Sequence, residues 1–138
     1  MSRPYVLIHQ ARPSHQILLH QAFNAQGIFN VRITEEAADL HACLSAERCL
    51  DLLILDHAMP KRAGLALLKK LAGSHALRAL LFVGQATPEQ QNLALEAKRR
   101  GLWVVAELPW PLSMTNLQHA LQRLGGRIQT VTCAPHAH

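Results

Sequence analysis

Five short apolar runs, each followed by a stretch of amphipathic helical pattern, constrain this chain more than any other feature. They are Tyr5-Val6-Leu7-Ile8, Phe29 to Ile33, Leu52-Leu53-Ile54-Leu55, Leu80-Leu81-Phe82-Val83 and Trp103 to Ala106. Runs without polar alternation suit strands covered on both faces, which is the setting of a parallel sheet. Strands alternating with helices build right-handed parallel units. The expected fold is therefore α/β, a doubly wound five-stranded parallel sheet in a single domain. Its functional crevice is expected at the carboxyl ends of the strands.

Local signals set the expected helix ends. Ser14 can cap a first helix carrying Ile17, Leu18, Ala22 and Phe23, with Gly27 ending it. Thr34 can cap a second, with Glu35 and Glu36 in its first turn and an end near Ala46. A third runs from Leu65 to Ala72 and stops at Gly73. Thr87-Pro88-Glu89-Gln90 combines a cap, proline at the first helical position and a capping-box glutamine, opening a helix that ends at Gly101. Ser113 can cap the last, with Leu117, Ala120, Leu121 and Leu124 on one face and Gly125-Gly126 closing it. Residues 1–124 then form the domain, and 125–138 read as a linker or tail.

Bulk properties exclude several classes. With 138 residues, 49% of them apolar, the chain can bury one core but not two. No apolar run approaches the roughly 20 residues of a membrane span, and the N-terminus has no cleavable signal architecture. A soluble, cytoplasmic protein is expected. Cys43, Cys49 and Cys133 are odd in number and lack metal-ligand spacing, so reduced thiols are expected. The charge of +5 is spread along the chain, and its one tight run, Lys98-Arg99-Arg100, falls where cations complement a helix end. Nucleic-acid binding through this charge is a weaker alternative, and a nucleic-acid partner is not expected for the domain itself.

The informative stretch runs from Asp51 through Asp56, Met59-Pro60 and Gly64 to Leu71. A strand ends in aspartate, methionine-proline follows, and a glycine opens an apolar helix. This resembles the centre of response-regulator (CheY-like) receiver domains, and the resemblance covers approximately residues 4 to 124. It implies the flavodoxin-like strand order 2-1-3-4-5 and a phosphorelay role in two-component signalling. It makes Asp56 the candidate phosphoacceptor, a carboxylate nucleophile toward a phosphoryl group. Family members add two carboxylates after strand one to hold Mg²⁺, a hydroxyl after strand four, and a lysine before a cis proline after strand five.

The sequence departs from that pattern at each auxiliary position. His9 and Gln10 stand where the acidic pair belongs, and Gly84 where the hydroxyl belongs. Trp110 precedes Pro111 where lysine belongs; a second register, through Leu108-Pro109, lacks the lysine equally. The aromatic position on strand five falls on Glu107. Mg²⁺ prefers carboxylate oxygens, so only a poor site remains and no cofactor is expected.

The expected function is a degenerate pseudo-receiver, not an enzyme, acting through protein contacts. Its partner would be a histidine kinase, an output domain or a second copy. The alternative is an active phosphoacceptor modified on Asp56. Asp56 can equally cap the following turn through backbone N–H groups. His9 with Asp56 could in principle bind a transition metal, but capping or solvated histidines are favoured because no paired-histidine spacing occurs. In adjacent strand ends, His9 is expected to neutralise Asp56 directly or through one water, raising the histidine pKa.

Overall fold

The computed structural model describes residues 4–45, 49–74, 76–87 and 92–130, the side chains only as far as 125. In chain order the elements are β1 (Val6–His9), α1 (Pro13–Ala25), β2 (Val31–Thr34), α2 (Ala37–Ser45), β3 (Leu50–Asp56), α3 (Lys61–Ala72), β4 (Leu77–Val83), α4 (Leu93–Arg99), β5 (Val104–Leu108) and α5 (Met114–Thr130). All strand pairs are parallel and the order is β2-β1-β3-β4-β5. The expected doubly wound sheet is the observed one.

Residue parity divides the core into two layers. Val6 and Ile8 of β1, with Leu52 and Ile54 of β3, pack against Leu19 and Phe23 of α1 and Leu117, Ala120 and Leu124 of α5. Leu7, Leu53, Leu55 and Phe82 face the other way, onto Leu40 of α2, Leu67, Leu68 and Leu71 of α3, and Leu93 of α4. Central strands buried on both sides explain why they lack polar alternation. The same parity decides which side chains meet at the strand ends.

Several helix ends differ from expectation. Arg12 occupies the cap position of α1 without a side-chain bond, and Pro13 supplies the first turn, so Ser14 lies inside the helix. Thr34 is the last residue of β2 and its hydroxyl meets His9, so it caps nothing; α2 starts only at Ala37. Strand β2 itself begins at Val31, leaving Phe29 outside it and 66% exposed. The start proposed at Thr87-Pro88-Glu89-Gln90 falls mainly on residues outside the described ones. The described helix α4 follows Asn92, whose Oδ1 accepts the Leu95 N–H at 3.0 Å.

Ser113 does cap α5, its Oγ accepting the Asn116 N–H at 3.1 Å. That helix continues through Gly125-Gly126 to Thr130. Glycine in a helix costs about 1 kcal/mol but does not forbid the geometry. Gly27 has φ 84°, the left-handed conformation expected just beyond a helix end. Cys43 is a free thiol, whereas Cys49 is disulfide-bonded, against the expectation of reduced thiols. An odd count still leaves room for one bridge.

Candidate functional site

Asp56 ends β3 and is 8% exposed. One carboxylate oxygen, Oδ1, accepts the Ala58 N–H at 2.8 Å; the other, Oδ2, accepts Gln10 Nε2 at 2.8 Å. The backbone carbonyl of Asp56 accepts the Met59 N–H at 3.0 Å, closing the turn. The turn-capping role foreseen for Asp56 is therefore present.

Gln10 is fixed from both ends of its amide. While Nε2 donates to Asp56, Oε1 accepts the Arg12 N–H at 3.1 Å, and the Gln10 carbonyl accepts Gln16 Nε2 at 2.6 Å. The two partners define the orientation of an otherwise ambiguous amide. Gln10 shares the parity of Val6 and Ile8, and Asp56 that of Leu52 and Ile54, so the two converge on one side of the sheet.

His9 follows the opposite parity, and the direct pairing expected with Asp56 is not formed among the described residues. Its Nδ1 lies 3.0 Å from the Thr34 hydroxyl, and no contact joins it to Asp56 among the described residues. Burial pushes the His9 pKa down, and neighbouring His41 pushes it further, against a smaller opposing effect of Thr34. The expected rise is thus replaced by a fall. Counting residues by twos from Ile8 would have pointed to Gln10.

Gly84 follows β4 with φ 83°, and a β carbon there would stand 2.9 Å from Asp56 Oδ1. A side chain would thus meet the carboxylate and strain the backbone at once. Trp110 stacks on His15 at 3.9 Å between ring centroids, 20° from parallel. Its peptide bond to Pro111 is cis, matching the expectation. Around Asp56 these residues border a cavity of about 590 Å³.

On the opposite side of the sheet, the residue after Asp56 takes part in a second cluster. His57 stacks on Phe82 at 4.9 Å, and its Nε2 lies 3.2 Å from Glu107 Oε1. Lys98 Nζ reaches Glu107 Oε2 at 3.5 Å. The sequence pointed to Glu107 only as a missing aromatic residue. The three residues come from the end of β3, from α4 and from β5, which no local pattern connects.

The family model for the response regulator receiver domain matches residues 6–104. The chain belongs to the response-regulator receiver family. Receivers of this family are signalling modules of two-component systems and interact with kinases or output domains. Among solved structures, the receiver is similar to a response regulator from Colwellia psychrerythraea, with 22% identity and TM-score 0.70 over 91% of this chain and 99% of that one. A sensor protein from Polaromonas sp. JS666 matches with 23% identity and TM-score 0.71, over 92% and 99% of the two chains. A CheY-like receiver domain from Methylobacillus flagellatus has 20% identity and TM-score 0.67, over 89% and 99%. These likenesses establish the fold. No curated protein matches the chain. No described helix of this receiver is long and apolar enough to cross a membrane.

Proposed function

We propose that this receiver is degenerate, a cytoplasmic signalling module that works through protein contacts and not through phosphoryl transfer at Asp56. The observation that carries this reading is the Gln10 amide donating to Asp56 Oδ2 at 2.8 Å. An N–H group, not a metal-binding oxygen, faces the carboxylate at the end of β1. With Ala58 N–H on Oδ1, each oxygen already has a donor from the chain. Hydrogen bonds to a carboxylate stabilise its charge and so weaken it as a nucleophile.

The residues present also do not suit Mg²⁺. The ion needs several hard oxygen ligands in near-octahedral array. Among the described residues no group of three His, Cys, Asp or Glu side chains could hold a metal. Trp110 offers no charge to a phosphoryl group, and no lysine follows Lys98 in the chain. A histidine kinase, an output domain or a second copy is the partner this reading implies.

The retained turn around Asp56 favours one rival, an active phosphoacceptor. Incubating the full chain with acetyl phosphate and Mg²⁺, then measuring intact mass, separates the two. The degenerate reading expects no adduct; a stoichiometric, Mg²⁺-dependent phosphoryl adduct on Asp56 would establish the rival.

A further inference from the structure

The cavity beside Asp56, about 590 Å³, lies within the roughly 300–1,000 Å³ typical of small-molecule sites. Leu40, Met59 and Leu67 give it apolar walls, and the stacked Trp110 gives it an aromatic one. Asp56 stands among them with only neutral hydrogen-bond donors, Gln10 Nε2 and Ala58 N–H. No ion pair reaches it among the described residues. An ionised carboxylate has about four acceptor positions, so capacity remains after those two bonds.

Among the described residues no imidazole bordering the cavity pairs with Asp56; His9 meets the Thr34 hydroxyl and His15 stacks on Trp110. Burial and the nearby His41 favour the neutral form of His9. His41 Nδ1 lies 3.1 Å from Lys70 Nζ. Arg12 and Glu35, both exposed at the mouth, are opposite in sign. An inward carboxylate among apolar walls is poorly compensated, and a cation that enters gains both charge pairing and burial. Tryptophan is also the best aromatic partner for a cation.

We propose that this cavity binds a small organic cation, an apolar or aromatic body whose protonated amine or amidine pairs with Asp56 and lies against Trp110. The inference goes beyond the degenerate-receiver reading and requires only that Asp56 be unmodified. Ligand-observed NMR and calorimetry on the full chain test it with benzamidine, its neutral analogue benzamide and the anion benzoate. Benzamidine should bind about tenfold or more tightly than benzamide, as expected of a hydrogen bond between charged partners, with benzoate weakest. Asp56→Asn should remove the preference. Ala66→Phe, at an exposed position lining the cavity, should weaken benzamidine without touching the buried core, so the test survives if Asp56→Asn fails to fold.

Equal affinities for the three probes, tighter benzoate, no binding of any probe, or a benzamidine preference that survives Asp56→Asn would each overturn the proposal. So would benzamidine binding unchanged by Ala66→Phe. A phosphoryl adduct formed with acetyl phosphate would instead overturn the degenerate reading, leaving the cation preference of the unmodified chain to be measured separately.

Discussion

Asp56 and Glu107 are carboxylates at the ends of β3 and β5, and the chain handles them in opposite ways. Asp56 is 8% exposed and receives two neutral N–H donors. Glu107 has a side chain 38% exposed and sits between His57 and Lys98. Asp56 belongs to the α1/α5 side of the sheet, whereas Glu107 pairs in register with Phe82 of the other layer. A single step along the chain, from Asp56 to His57, moves from one cluster to the other. The comparison teaches that the buried carboxylate depends on directional hydrogen bonds. The exposed one pairs with the Lys98 ammonium, whose attraction water screens.

The largest expected effect is on the buried side. Gly84→Ala places a β carbon 2.9 Å from Asp56 Oδ1 on a backbone with φ 83°. Left-handed strain alone reaches about 3 kcal/mol for a non-glycine residue. Urea unfolding should show a loss of that order, and an unchanged midpoint would break the account of the close approach. Gln10→Ala removes the donor from Oδ2 and should cost about 2 kcal/mol, the typical value of a hydrogen bond to a charged group. A loss no greater than that of Gln16→Ala would put the Gln10 contact in doubt.

The next effect is a slope with pH. Burial and His41 hold His9 below its ordinary 6.5, so as pH falls the unfolded chain takes up a proton before the folded one. Stability should therefore fall with pH in the window beginning near 6.5, and His9→Gln should flatten that slope. Asp51 acts in the opposite sense at more acid pH. Burial raises its carboxyl above 3.8, the folded state binds the proton first, and stability from this group is lost as pH rises through the raised value. Urea midpoints at successive pH values check both signs. Glu107→Gln should have the smallest effect, under about 0.5 kcal/mol, because exposed pairs are screened. A loss as large as that of Gln10→Ala would erase the contrast.

The sheet was legible because its signal is repeated along the chain: Leu52 to Leu55 and Leu80 to Val83 are too apolar for anything but central strands. Asp56 and Gly84 were legible as positions at strand ends. The partner of Asp56 was not, because the choice between His9 and Gln10 depends on side-chain parity, and chemical affinity alone favoured the histidine. Thr34 misled for a similar reason, since its hydroxyl suits a helix cap or a neighbouring strand equally well. His57, Glu107 and Lys98 come together only once β3, β5 and α4 are assembled. Gly125-Gly126 marked a weak point in a helix and was read as its end.

The most direct test of the degenerate reading watches the two donors on Asp56. In a ¹H–¹⁵N spectrum, the Ala58 backbone amide and the Gln10 side-chain amide report Oδ1 and Oδ2 separately. Adding Mg²⁺ with beryllofluoride, a phosphoryl mimic, should leave both signals where they are. A saturable shift of the two together would mean that Asp56 can exchange its chain donors for a metal and a phosphoryl group, and would contradict the account.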